Sequence, residues 1–232
     1  MKNIAIFGFQ DSLVGQVINF LPLKLKKKIK CIIILEKPKK INYFKKTEKR
    51  EFIIKNRIYN LPVIISKNFI EVLKRKKIKK VFILEYNKKL RSRIFNEIKK
   101  KIKTIKILTF IAKNSYLAGK NFVGEGSIIF PLNYIAYKTN IGVCSIVQSN
   151  CLIEHHSNLG SFCNINPRLS TGGFVKIEDF CEIGMNVTLI NGLTIKKKTQ
   201  IGAGSLLLSN TKSNGLYYGR PATYKKKTTI ER

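Results

Sequence analysis

From residue 111 onward the apolar positions recur every sixth residue. The series runs Ile111, Leu117, Val123, Ile129, Ile135, Ile141, Val147, Ile153, Leu159, Ile165, Thr171, Ile177, Ile183, Leu189, Ile195, Ile201, Leu207; sixteen of these seventeen are Ile, Leu or Val, with no insertion. The position four later is mostly small: Ser115, Asn121, Ser127, Asn133, Thr139, Ser145, Cys151, Ser157, Cys163. Glycine often follows the aliphatic position, at Gly124, Gly142, Gly160, Gly172, Gly184 and Gly202. A period of six suits neither a helix nor a flat amphipathic strand; it is the signature of a parallel β-helix. Each hexad makes one flat side and one turn, and three close a triangular coil of about 18 residues. The aliphatic side chain fills the core, the small residue fits near a corner, and glycine is expected to supply the unusual torsions of the turn. A single coil cannot bury its own apolar face, so stability must come from stacking.

Residues 1–110 follow a different rule. Short apolar runs alternate with longer mixed segments. Strands are expected at Asn3 to Phe7, Cys31 to Leu35, Val81 to Leu84 and Ile105 to Phe110, and helices at 12–21, Asn68 to Lys76 and Lys88 to Lys101. Runs such as Cys31-Ile32-Ile33-Ile34-Leu35 are of the kind found in buried parallel strands. Alternation of strand and helix predicts a small parallel sheet with crossover helices, which takes ligands beyond the carboxyl ends of its strands. Three segments follow: an α/β domain over 1–110, a β-helix over 111–214, and a tail over 215–232 containing Lys225-Lys226-Lys227.

Charge changes the picture less than its size suggests. The 232 residues hold 45 Lys and Arg against 13 Asp and Glu, a net +32. The excess is 37 Lys against 8 Arg and is accompanied by 35 Ile, which reads as a composition bias. Specific nucleic-acid contacts favour Arg and interleaved aromatics, so no nucleic-acid partner is expected. Lysine runs at 24–30, 37–40, 76–80 and 99–103 either face solvent or draw in anionic small molecules. No window approaches 18 consecutive apolar residues, and the first residues lack the form of a signal peptide, so a cytoplasmic protein with no membrane partner is expected. The five cysteines (Cys31, Cys144, Cys151, Cys163, Cys181) contain no Cys-x-x-Cys pair and indicate neither a disulfide framework nor a metal site.

The hexad series, with Ile153-Glu154-His155-His156-Ser157-Asn158-Leu159-Gly160, Ile201-Gly202-Ala203-Gly204-Ser205 and Gly219-Arg220-Pro221-Ala222, resembles the hexapeptide-repeat acyltransferases. More narrowly it is similar to the sialic-acid and bacillosamine-type nucleotide-sugar acetyltransferases. That resemblance implies a Rossmann-like N-terminal domain followed by a left-handed parallel β-helix. It also implies a homotrimer, acetyl-CoA as co-substrate, no metal, and transfer to the amino group of a nucleotide sugar (a 4-amino-4,6-dideoxy sugar) for surface glycans. Transfer to a sugar hydroxyl, or a non-catalytic nucleotide-sugar-binding scaffold, are the alternatives.

The resemblance also assigns residues. His155 matches the family's general base, a role for which an imidazole with a pKa of about 6.5 is suited. Family members commonly carry Glu or Asp next; this chain has His156, whose neutral imidazole can still hydrogen-bond, so that either the base is weaker, or another carboxylate orients it, or His156 itself contacts substrate. Glu154, Glu178 and Asp11 are the carboxylates that could orient His155 instead. Asn164 stands where relatives place a second histidine near the thioester, and either donates to its carbonyl or caps a turn. Gly173, Met185 and Ala203 match cofactor-lining positions. Gly8, Gln10, Asp11 and Ser12 match the loop after the first strand, where Asp11 or Ser12 could alternatively cap a helix. Leu35, Glu36 and Asn87 complete the expected sugar-nucleotide contacts.

Overall fold

The computed structural model describes residues 3–36 and 57–228, with the side chains of Asp11 and Ser12 left outside. The lysine run at 37–40 also lies outside the described residues. The chain divides into two compact units: residues 1–86 with 93–108, and residues 87–92 with 109–232.

The first unit is built on a six-stranded sheet. Its strands are β1 (Asn3–Phe7), β2 (Ile29–Ile34), β3 (Arg57–Ile58), β4 (Leu61–Ile65), β5 (Ile78–Ile83) and β6 (Lys106–Ile107), in the order β3-β4-β2-β1-β5-β6. All neighbours are parallel except the β3–β4 hairpin at the edge. The helices are α1 (Asp11–Phe20), α2 (Leu23–Lys26), α3 (Phe69–Arg75) and α4 (Lys88–Lys101), the first residues of α4, up to Ser92, counting with the second unit. Ile4 to Phe7, Cys31 to Leu35 and Val81 to Leu84 are all buried. That double-sided burial is why these strands read as continuous apolar runs. Strand order reverses at β1, which has β2 on one side and β5 on the other. In open parallel sheets the crevice at that reversal is where ligands sit.

The second unit is the β-helix. Among the described residues, seventeen two-residue strands run from Phe110–Ile111 to Leu206–Leu207. They stack in three parallel sheets with an 18-residue step, as in Ile128↔Ile146, Tyr134↔Leu152 and Asn140↔Asn158. The aliphatic hexad residue is the second of each strand and points inward. From Ile129 to Leu207 these residues form one continuous core with Cys151, Cys163 and Cys181. The first three differ: Ile111 is 41% exposed, and Leu117 and Val123 are only partly buried. The first coil has no preceding coil to cover it.

The structure corrects three expectations. The glycines after the aliphatic position do not supply the turn torsions. Gly124, Gly142, Gly160, Gly172, Gly184 and Gly202 have no positive φ. They are small because the next coil is close: a Cβ on Gly142 would stand 2.6 Å from the Gly160 carbonyl carbon and the Ser161 nitrogen. The left-handed residue comes two positions later, and it is mostly not glycine: Cys144 (φ 50°), His156 (58°), Phe162 (57°), Phe174 (59°) and Lys198 (58°) are examples. Second, Ile105 to Phe110 is not one strand. Leu108 donates to Val81 O and closes the first sheet, while Phe110 donates to Ser127 O and opens the β-helix. Third, residues 215–227, expected as part of a tail, form two strands. Gly215–Gly219 pairs in parallel with Gln200–Ile201, and Ala222–Lys227 pairs antiparallel to it, extending one sheet to eight strands.

Candidate active site at the His155 corner

The β-helix corner after Leu152–Ile153 carries both histidines of the chain. His156 takes the left-handed conformation (φ 58°), and its N–H bonds Tyr137 O at 3.0 Å. Its ring stacks on Phe174, one coil on, with centroids 4.8 Å apart and planes at 15°. Tyr137, one coil back, meets the same ring edge-on at 6.1 Å. His155 is exposed, and its Nδ1 lies 3.1 Å from Nδ1 of His156. Phe174 also meets the His155 ring edge-on at 5.3 Å.

The floor under His155 is Gly173. A Cβ there would stand 2.7 Å from Cε1 and 2.9 Å from Nε2 of the imidazole. Gly173 therefore belongs with His155, where its missing side chain makes room for the ring. The backbone leading into the corner is also unusual. On most other rungs the residue after the strand donates to the next coil through the main chain, as Ala136 N–H does to Ile153 O, Lys196 N–H to Thr211 Oγ1 being another exception. Glu154 N–H instead bonds the side chain of Thr171 (Oγ1, 3.0 Å). Thr171 is the single non-aliphatic member of the hexad series, and it is buried. The carboxylate of Glu154 turns back to the backbone N–H of His155 (Oε2, 3.4 Å). Glu178 is engaged elsewhere, with Lys197 N–H at 3.0 Å and Lys196 Nζ at 3.2 Å. The Lys197 amide holds its carboxyl below the usual range, with the Lys196 and Lys176 charges adding to this. The Asp11 side chain lies outside the described residues.

The other expected cofactor residues fall into separate places. Met185 and Ala203 are exposed and one coil apart on a different corner, where Gly204 donates to Met185 O. Asn164 is only 2% exposed, and its Oδ1 accepts from Arg91 Nη2 at 2.7 Å. Asn164 opens the strand Asn164–Ile165, and its N–H bonds Cys181 O at 3.0 Å.

In the first unit, several expected contacts gather at the carboxyl ends of β1 and β2. Gly8 follows β1 with φ 121°, and any Cβ would collide with the Leu84 carbonyl after β5. Gln10 precedes α1, its carbonyl accepting from Leu13 and Val14 while its side chain makes no capping bond. Asp11 and Ser12 open α1 by backbone, their side chains lying outside the described residues. Leu35 is a core residue at 4% exposure, at the end of the run that forms β2. Glu36 is exposed and 3.7 Å from Lys67 Nζ. Asn87 caps α4, its Oδ1 accepting the Leu90 N–H at 3.0 Å, a task Asn performs well at a helix start.

No family model matches the sequence. A histidine-to-alanine variant of GDP-perosamine N-acetyl transferase from Caulobacter crescentus, in complex with CoA and GDP-perosamine, superposes with a TM-score of 0.80 at 18% identity, over 97% of this chain and 98% of that one. The acetyltransferase domain of PglB from Neisseria gonorrhoeae FA1090 gives 0.65 at 14% identity, over 97% and 100%. The chain carries the fold of the hexapeptide-repeat acetyltransferases. WeeI from Acinetobacter baumannii AYE shares that fold at a TM-score of 0.60 and 18% identity, over 97% and 100%. In sequence, mitochondrial gamma carbonic anhydrase 1 of Arabidopsis thaliana is 27% identical over 137 residues, 53% of this chain and 50% of the relative. The bifunctional protein GlmU of Shouchella clausii is 30% identical over 100 residues, 42% and 19% of the two chains. The chain thus spans about half the length of the carbonic anhydrases it matches.

Three residues of this acetyltransferase fold escaped the sequence reading. Arg91 and Lys88, from the first turn of α4, belong to the β-helix unit. Arg91 is fully buried and also donates to Cys144 O at 2.7 Å, and Lys88 pairs with Glu182 at 2.7 Å. Nothing in sequence separates them from the other cations of a lysine-rich helix. Thr171 did carry a signal, as the one break in the hexad series. Among the described residues no group of three or more His, Cys, Asp or Glu is placed to hold a metal ion, and no helix is long and apolar enough to cross a membrane.

Proposed function

We propose that the protein is an acetyl-CoA-dependent N-acetyltransferase acting on a nucleotide-linked amino sugar. Within that class, a 4-amino-4,6-dideoxy sugar destined for surface glycans, acetylated in the cytoplasm, is our specific reading. The observation that carries it is the His155 corner: an exposed imidazole set over Gly173, with Nδ1 engaged by His156. End-to-end likeness to a GDP-perosamine N-acetyl transferase supports the substrate class.

In this reaction the amine lone pair attacks the thioester carbonyl carbon, and the C–N bond forms. The ammonium proton passes to His155 Nε2. The tetrahedral intermediate collapses with cleavage of the C–S bond, and the same proton then neutralises the departing thiolate. Backbone N–H groups stabilise the oxyanion. Met185 and Ala203 would flank the coenzyme along their corner. Gly8, Gln10, Leu35 and Glu36 would meet the sugar nucleotide, with Asp11 and Ser12 at the start of α1. The working assembly in this reading is a homotrimer of left-handed β-helices, its sites shared between neighbouring subunits.

The test is thiol release from acetyl-CoA against a panel of nucleotide-linked 4-amino sugars, with wild type and His155→Ala. Turnover of one amino sugar, falling about a hundredfold or more in the variant with coenzyme binding retained, is expected for a lost general base. Turnover of hydroxyl acceptors alone would make it an O-acetyltransferase. Failure to bind the coenzyme would end the transferase reading.

A further inference from the structure

We propose that His156 is the positioning partner of His155, taking the place that an acidic side chain holds in an acid–imidazole pair. It accepts the Nδ1–H of His155 at its own Nδ1 and so leaves Nε2 of His155 free to take a proton. The proposal rests on the transferase reading for its consequences but on geometry for its substance.

The two Nδ1 atoms are 3.1 Å apart, a hydrogen-bond distance. Such a bond needs a proton on one nitrogen and a lone pair on the other. If His156 donated, the only lone pair of a neutral His155 would be consumed and His155 could not act as a base. If His155 donates, its remaining lone pair is on Nε2. Among the described residues no carboxylate competes for the His155 ring: Glu154 accepts the His155 backbone N–H, and Glu178 accepts from Lys196 and Lys197.

The acceptor is held firmly. His156 is fixed by its left-handed backbone, by its bond to Tyr137 O, by the Phe174 stack and by the Tyr137 edge. Among the described residues, the Glu154 carboxylate lies at the His155 backbone, and the ammonium groups of Lys138 and Lys120 lie 5.3 and 5.7 Å from the centre of the Tyr137 ring that meets His156. Phe174 and Gly173, on the following coil, bring no charge. When His155 takes a proton at Nε2, the resulting imidazolium keeps its Nδ1–H on neutral His156. A second proton, on His156 Nδ1, would set two Nδ1–H groups face to face with no lone pair between them.

A neutral acceptor stabilises an imidazolium less than a carboxylate does. The proposal is therefore tested by exchanging the acceptor. His156→Glu is expected to keep turnover within about tenfold of wild type and to move the acidic limb of kcat/KM up by about one pH unit, because a carboxylate raises the pKa of His155. His156→Phe keeps the ring stack at a corner that Phe174 already shows to accept phenylalanine (φ 59°). It is expected to lower kcat about ten- to a hundredfold with KM for acetyl-CoA unchanged. Nitrogen-15 NMR of the ligand-free protein gives a reading independent of activity, since the chain has two histidines. It should find His155 protonated at Nδ1, and His156 protonated at Nε2 only. The opposite tautomers would overturn the proposal, as would wild-type kcat and an unmoved pH profile in His156→Phe. A rise in sugar-nucleotide KM alone would overturn it too, by making His156 a substrate contact. Proposed tautomers in a protein that acetylates no amino sugar would uphold the pairing and sink the transferase reading instead.

Discussion

The imidazole of His155 rests on the bare Cα of Gly173, one coil further along the β-helix; a Cβ at that point would stand 2.7 Å from Cε1. Gly173 has no positive φ, so its backbone would accept alanine without torsional strain. Gly173→Ala is therefore expected to act on the histidine rather than on folding. It should lower kcat/KM about a hundredfold, since a misplacement of about 1 Å is worth that much, while the melting temperature stays within a few degrees of wild type.

Thr171 holds the approach to the corner by accepting Glu154 N–H through its side chain. Thr171→Val restores the hexad pattern but removes that acceptor. The change leaves the Glu154 N–H without its acceptor, at a cost of about 1–3 kcal/mol that the added apolar contact partly offsets, so stability should fall by about 1 kcal/mol. Turnover should fall more than stability. Kinetics beside chemical denaturation on one preparation separates the two.

Asn164 provides the measurement for the buried cation. Arg91 is fully buried, and Asn164 Oδ1 is one of its acceptors. Asn164→Ala is expected to destabilise the protein by about 1–3 kcal/mol, the cost of removing a partner from a buried donor. Urea unfolding should show a lower midpoint with an unchanged slope. If Asn164 contacted only the coenzyme, stability would hold and the coenzyme KM would rise.

The two kinds of glycine should separate on substitution. Gly192 has φ 72° with open space around its Cα, so Gly192→Ala meets only the left-handed penalty of about 1 kcal/mol. Gly142→Ala drives a methyl into the next coil at 2.6 Å, an overpacking of about 1–3 kcal/mol or more. Thermal melts should rank Gly142→Ala clearly below Gly192→Ala.

Two carboxylates give the acid limb of stability a sign. Hydrogen bonds from Arg93 to Glu97 and from the Lys197 amide to Glu178 hold both below their usual value. A depressed folded-state pKa means the unfolded chain binds protons first as pH falls. The contribution is complete above about pH 4.3, the unfolded value, and is lost as pH drops through the folded one. Glu178→Gln should flatten melting temperature against pH below that point and change it little near neutrality.

How much of this was legible in the sequence differs between elements for physical reasons. The hexad period revealed the β-helix because each coil packs on the next at a fixed step, so one inward position repeats. Parallel strands showed as apolar runs because both faces are covered. Helix α4 was read end to end over Lys88–Lys101. The β3–β4 hairpin was not, because its residues are partly exposed and Pro62 breaks the run. His155 stood out as half of the histidine complement; Arg91 did not, because a buried cation and a solvated one look alike in a lysine-rich chain.

The sequence by itself determined the repeat, the inner strands β1, β2 and β5 of the first sheet, and the candidate base. Only the tertiary structure decided how these positions are used. The glycines serve close approach between coils, and the left-handed corners fall to residues such as His156 and Phe174. Glu154 turns to the backbone, so the partner at Nδ1 of His155 is His156. The reason lies in what a pattern can record: a hexad series shows what repeats along the chain, whereas the close approach of coils joins residues 18 apart and the choice of partner within a corner depends on side-chain direction.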